Sequence, residues 1–354
     1  MGKRLAVLND LSPAATFISE NYNRPFDSRL IAVAEEIITS TEKELAWLYQ
    51  TKETNTRTVR EIDSVIWSDV FLCPECSHEI VFWNEARDDD DEGGVSDSFP
   101  CPNCDVRLNK PKLEHCIETI TSVSGDPVRR IKRVPVLLIC ERGDKAIEPG
   151  DLEVLSKAAR QVKNVPLPTL AFDPNSEQYE RDALHLRGIQ IVADFYTPRN
   201  LLAMSALWEK AKATPDANLR RQLLWLLTSA QWLVSVMYRY RTSGGGGQQG
   251  KLTIPSLMRE QNVFRVVRRK LNDIVKAAAV RNEGSFVSTG STTHIPVLPD
   301  NCIDYIFTDP PFGGNLYYSD LNRIWEGWLG ISTNEKPEAV VHRARTVAPK
   351  NLIA

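Results

Sequence analysis

Ile303-Asp304-Tyr305-Ile306-Phe307-Thr308-Asp309-Pro310-Pro311-Phe312 joins a run of β-prone residues to a rigid polar turn. The run Ile303 to Phe307 predicts a central parallel strand, which in an α/β sheet is buried on both faces. Ligands of such sheets bind just beyond the carboxyl ends of the strands, where Asp309 falls. Two consecutive prolines fix their φ angles and offer no N–H, so the nearby carbonyls can be held aimed at a pocket. An exocyclic amine on a base is a poor nucleophile. A carboxylate at Asp309 and a carbonyl at Pro310 accept its two N–H bonds and favour positive charge on the attacking nitrogen. Pro311 stiffens the turn, and Phe312 gives an extruded base a flat face. Asp-Pro-Pro also suits an ordinary turn. The flanking Gly313-Gly314-Asn315 and the aromatic helix expected over Tyr317 to Leu329 weigh towards a site.

A second signal lies upstream. Cys73-Pro74-Glu75-Cys76 and Cys101-Pro102-Asn103-Cys104 are two CPxC knuckles with 24 residues between them. Each knuckle converges two thiolates on one tetrahedral metal, and two complete a four-cysteine site. Zinc is the expected occupant and iron the lesser alternative. His78 is expected on the surface of this ribbon, and Cys116, Cys140 and Cys302 as ordinary buried thiols. Seven cysteines in 354 residues argue against a disulfide scaffold and for a reducing cytoplasm. The start Met1-Gly2-Lys3-Arg4 does not resemble a secretory signal. Leu223 to Met237 is too short and polar to span a bilayer, so no membrane is expected.

A net charge of −3 announces no nucleic-acid binder, so phosphate contacts must come from local patches. Tyr238-Arg239-Tyr240-Arg241 alternates stacking and charged groups before the loop Ser243 to Gly250, a composition suited to a nucleic-acid backbone and exposed bases. Arg265, Arg268, Arg269 and Lys270, and also Arg129, Arg130, Lys132 and Arg133, fit phosphate contacts or solvated faces equally well. Trp325 and Trp328 read as core. Helical periods run over Arg29 to Tyr49, Leu201 to Ala213 (with Thr197 as cap and Pro198 in the first turn), Ala217 to Arg241 and Met258 to Ala279. Val134 to Cys140 is the strongest strand among several, and residues 142–190 read as a linker or peripheral subdomain.

The segment at Asp309 resembles motif IV, (D/N/S)PP(Y/F), of DNA amino-methyltransferases. The longer string DYIFTDPPFGGNLYYSDLNRIWEGWL resembles adenine-specific DNA methylases that contain a zinc ribbon. LNDLSPAATFISENYN, WSDVFLCPEC, FYTPRNLLAMSALW and YRYRTSGGGGQQGKLTIPSLMREQNVFR extend the resemblance from Arg4 to about Leu329. It implies an α/β, Rossmann-like methyltransferase sheet, incomplete here, with an inserted zinc ribbon and a helical insertion. It also implies S-adenosylmethionine as cofactor and DNA as partner, with adenine N6 the favoured acceptor and cytosine N4 second, within restriction-modification or phage defence. By the same resemblance Asp10, after the strand Arg4 to Asn9, would accept the ribose hydroxyls; a carboxylate suits a vicinal diol. A helix cap or plain surface role is the alternative.

The glycine motif that should precede Asp10 by about 20 residues is not found, and Gly244 to Gly247 follow a helix rather than a strand. Both ends look cut. The expectation is a fragment or split enzyme, with a separate chain supplying further methyltransferase segments and weak cofactor binding by this chain alone. The expected organisation is the start of the methyltransferase domain (1–60), the ribbon (61–115), a mixed peripheral region (116–195), a helical insertion (196–282) and the core with the Asp-Pro-Pro-Phe turn (283–354). Two other readings stay open: a non-catalytic zinc-ribbon nucleic-acid binder, and an RNA or protein N-methyltransferase.

Overall fold

In chain order, the elements that position the sites are β1 (Ala6–Asp10), α1 (Pro13–Asn23), α2 (Arg29–Glu44), β2 (Val59–Leu72), β3 (Arg133–Cys140), α3 (Pro198–Lys212), α4 (Ala217–Gln231), β4 (Leu257–Gln261), α5 (Val263–Ala277), β5 (Ser285–Thr289) and α6 (Tyr318–Leu329). The computed structural model describes residues 5–53, 58–87, 95–96, 98–241, 246–247, 250–278, 284–309 and 316–338. It is a mixed α/β fold.

The 14-residue strand β2 is its spine. Over its middle it pairs antiparallel with β3 on one side (Leu138 opposite Val65) and β4 on the other (Met258 opposite Trp67). Its last residues, Val70 to Leu72, pair instead with Glu79–Val81 and Glu114–His115. One strand therefore runs out of the body and into the cysteine ribbon. Val65, Ile66, Val70 and Phe71 are all buried, as a strand covered on both faces requires.

Helices α2, α3, α4 and α5 share the main core, with Leu30, Ile38, Leu201, Leu207, Leu226, Val267 and Leu271 among its buried residues. Thr197 caps α3 by accepting the Asn200 N–H, and Pro198 opens its first turn, as the sequence predicted. The cap is also tied to the sheet. Buried Glu260 on β4 accepts hydrogen bonds from Thr197 Oγ1 and, at 2.7 Å, from Trp67 Nε1.

Several expectations are corrected. Residues 257–261 form β4 and not the start of a helix; Asn262 then caps α5, its side chain accepting the N–H groups of Phe264 and Arg265. Ladder pairing with β2 overrides a helical period there. Helix α4 ends at Gln231 rather than Arg241, and Tyr238 to Tyr240 lie extended beside β4, with Tyr240 N–H donating to the Leu257 carbonyl at 3.0 Å. Residues 142–190, read as a linker or peripheral subdomain, hold the helix Pro149–Gln161 and send Ala158, Val162, Phe172, Leu184 and Ile189 into the main core, which excludes the linker alternative.

The expected strand over Ile303 to Phe307 is not formed. These residues have no ladder, and Tyr305, Ile306 and Phe307 are 78%, 73% and 81% exposed. Parallel β1 and β5 pair residue for residue, Ala6 with Ser285 through Asp10 with Thr289, and among the described residues neither has a second neighbour. β-propensity supplies no hydrogen bonds by itself, so an apolar segment without an adjoining ladder stays unpaired. Among the described residues no helix is long and apolar enough to cross a membrane.

Candidate metal centre and flanking sites

The two CPxC knuckles fold alike. Cys73 N–H donates to the His78 carbonyl and Ser77 N–H to the Cys73 carbonyl. Cys101 N–H donates to Val106 and Asp105 N–H to Cys101 in the same way. Each turn closes on a non-glycine residue in the left-handed region, Ser77 at φ 57° and Asp105 at φ 59°. The four sulfurs lie within 4.8 Å of one another. The cross-knuckle pairs Cys73–Cys104 and Cys76–Cys101 are each 3.7 Å apart. A tetrahedron with Zn–S bonds of about 2.3 Å has S···S edges of roughly 3.8 Å, whereas a disulfide would need about 2 Å. The quartet therefore fits a metal ion such as zinc. The Asn103 side chain and the His78 backbone lower the Cys76 thiol, while burial and the neighbouring sulfurs raise that of Cys104 against the Val106 N–H, so within the bare quartet Cys76 gives up its proton most readily.

Phe71, Ile80, Phe82, Trp83, Phe99 and Leu108 form the separate small core beneath the centre. His78 is exposed and lies outside the quartet. Cys116 and Cys140 are buried, and burial pushes both thiols up. Cys302 is exposed, not buried as expected, because the strand it would have entered is not formed.

Asp10 ends β1 at the carboxyl edge of the parallel pair. Its Oδ1 accepts the Ser12 N–H at 2.8 Å, and the residue is exposed. The helix-cap role belongs to Ser12, whose hydroxyl oxygen accepts the Ala15 N–H. Ser12 Oγ in turn donates to buried Glu326 on α6 at 3.2 Å. Burial raises the Glu326 carboxyl despite donors from Thr333 and Ser12. No sequence pattern marks Glu326, since its partner is 314 residues away.

Asp309 is exposed, with no side-chain hydrogen bond or ion pair found among the described residues. Pro310, Pro311 and Phe312 lie outside them. Trp328 is buried, donates to the Tyr196 hydroxyl at 3.1 Å and packs against Trp208, while Trp325 is partly buried against the same core.

The basic groups divide by pairing. Arg265 meets Glu61, Asp63 and Glu141, and Arg268 meets Glu35 and Glu42. Lys270 meets Asp273, Lys132 meets Glu79, and Arg130 meets Glu118. Arg269 contacts Gln261, and Arg133 is drawn inward beside Met258, where burial depresses its guanidinium to about 9. Arg239 and Arg241 are exposed without an ion pair among the described residues. Tyr238 and Tyr240 are half-buried edge-on to Trp232 and Trp83, so their rings are engaged within the fold.

No family model, curated protein or solved structure matches the chain.

Proposed function

We propose that this chain is the metal-stapled, DNA-binding part of an S-adenosylmethionine-dependent DNA amino-methyltransferase, with adenine N6 as the favoured acceptor and cytosine N4 the second. The observation that carries the reading is the parallel β1–β5 pair with Asp10 at its carboxyl edge. One oxygen of that carboxylate is anchored by Ser12 and the residue faces solvent, an arrangement that suits a ribose diol. No glycine cradle for the rest of the cofactor accompanies it among the described residues.

S-adenosylmethionine supplies an electrophilic methyl group. Asp309 and the Pro310 carbonyl accept the N–H bonds of the target amine, and Phe312 stacks on the base. The exposed, β-prone residues 303–307 become a strand when a neighbouring ladder is provided. That ladder comes from a partner chain adding strands to the β1–β5 pair. The four cysteines hold zinc and keep the ribbon folded. Restriction-modification or phage defence is the setting the resemblance suggests.

The test is mass spectrometry of DNA from cells expressing the chain with its neighbouring coding sequence. N6-methyladenine or N4-methylcytosine, lost on Asp309→Ala, is the expected result; unmethylated DNA throughout rejects the reading. The exposure of residues 303–309 favours a second reading, a non-catalytic nucleic-acid-binding protein. Unmethylated DNA together with retained DNA binding would select it.

A further inference from the structure

The glycine-rich stretch and the Asp309 turn end side by side. Gly250, at the exit of the first, has φ 69°, and a Cβ on it would stand 2.9 Å from Leu316 Cδ2, at the exit of the second. Both exits are then fastened to one short helix, Glu177–Arg181, which lies within residues 142–190. Tyr317 is 1% exposed, and its hydroxyl donates to Glu177 Oε2. The Arg181 guanidinium lies 5.3 Å from the centre of the Tyr317 ring. Asp182, directly after the helix, accepts the Leu252 N–H at 2.5 Å and the Thr253 hydroxyl at 2.9 Å.

Helical spacing explains how one element holds both. Residues four apart on a helix are neighbours on its surface. Glu177 and Arg181 form one such pair and meet Tyr317, the first at its hydroxyl and the second over its ring. Gln178 and Asp182 form the next pair, and Gln178 Nε2 is a third donor to the Asp182 carboxylate. Both are buried, so water does not compete for these bonds. The helix itself is anchored. Ser176 caps it by accepting the Tyr179 N–H, and the Tyr179 hydroxyl donates to the Ile189 carbonyl at 2.7 Å. Ala183, left-handed at φ 50°, turns the chain away beyond Asp182.

We infer that Glu177 and Tyr317 are positioning residues for the Asp309 turn, and that the short helix couples this turn to the glycine-rich stretch. Ahead of the turn, residues 303–307 are exposed and have no ladder among the described residues, so the turn is placed from its Tyr317 end. A displacement at Leu252 and Thr253 reaches Tyr317 through one turn of helix. The reverse holds as well, because coupling between two sites is reciprocal. That the Asp309 turn grips an amine rests on the function proposed above. The shared anchor requires only the contacts just described.

Hydrogen exchange read by NMR on the full chain tests the coupling, with two variants that each remove one hydroxyl. Tyr317→Phe keeps the ring beneath Arg181, and Thr253→Val falls at an exposed position, so folding should survive in both. Tyr317→Phe should speed exchange of the Leu252 amide. Thr253→Val should speed that of the Leu321 amide, which donates to the Tyr317 carbonyl. At least about fivefold is expected in each, the lower end of ordinary coupling between sites. Amides of β2 and α5 should keep their wild-type rates. Acceleration confined to the altered side, or spread equally over β2 and α5, would overturn the coupling. In the methylating complex proposed above, Tyr317→Phe should lower kcat about tenfold, the scale of one hydrogen bond to a charged group, and leave KM for DNA unchanged. A raised KM with kcat intact would overturn the positioning role. Exchange is read on the chain whether or not it methylates, so failure here is distinguishable from failure of the enzyme reading.

Discussion

Arg187 donates through Nη1 to both carboxylate oxygens of Asp69, 2.8 Å to each, at the point where β2 leaves the body and enters the ribbon. Asp69 is fully buried, and its backbone pairs with Arg133 across the ladder to β3. His115 Nε2, from a ribbon strand, stands 3.5 Å from Oδ2, too far and too poorly aligned to count as a full hydrogen bond. A helical-side arginine and a ribbon histidine thus meet on one carboxylate at the junction.

Removing Arg187 strands that charge. Arg187→Ala is expected to lower unfolding free energy by about 3–5 kcal/mol, the usual cost of leaving a buried charge without its partner. Urea denaturation measures it, and a loss under 1 kcal/mol would show that the pair does not hold the junction.

The same pair sets an acid limb. Burial alone would raise the Asp69 carboxyl, but His115, Arg187 and Arg133 outweigh it and hold the carboxyl below its ordinary value. The stabilisation is therefore fully present above the unfolded aspartate value of about 4, and it is lost as pH falls through the lower folded value. Asp69→Asn should flatten the decline in melting temperature between about pH 4 and pH 2 relative to wild type. Parallel curves for the two proteins would contradict this assignment.

Metal content gives a direct check on the ribbon. The purified chain should carry about one zinc per molecule by plasma mass spectrometry, and Cys73→Ser/Cys101→Ser should carry none. Chelation should expose ribbon amides to hydrogen exchange first, because the small core around Phe82 and Phe99 cannot hold the knuckles without the metal. A metal-free chain with full ribbon protection is the contrary outcome.

Trp328 separates packing from recognition. Trp328→Ala should destabilise by about 3–5 kcal/mol through the cavity left beside Tyr196 and Trp208. Thermal melts that leave stability unchanged while DNA binding drops would assign the ring to a base instead.

Cofactor affinity tests the role proposed for Asp10. Titration calorimetry of the chain alone is expected to find weak S-adenosylmethionine binding or none, since on the function proposed above Asp10 would contribute one contact and no glycine cradle accompanies it among the described residues. Tight binding at one equivalent would mean that the site is whole within this chain.

The features legible from the residues are those decided within a few positions. The four-cysteine cluster follows from two short turns, the cap of α3 from Thr197 and Pro198, and the strand at Val134 to Cys140 from a dense apolar run. Harder to read were choices between near-equal local options. Residues 257–261 satisfy a helical period as well as a strand, and β2 settled the matter by offering a ladder 189 to 197 residues away. Ile303 to Phe307 carry strong strand propensity, yet no neighbour meets them among the described residues.

Charge is where sequence and structure part furthest. Spacing alone determined that a metal can bind, because knuckle geometry is set by bonds and turns within six residues of each first cysteine. Only the tertiary structure decided which arginines are paired with acids. Arg265 and Arg268 are balanced by acids more than a hundred residues away, while Arg239 and Arg241 are turned outward by the packing of the tyrosines beside them. Coulomb attraction acts through space, with no regard for separation along the chain, so it is read only after folding has brought the groups together.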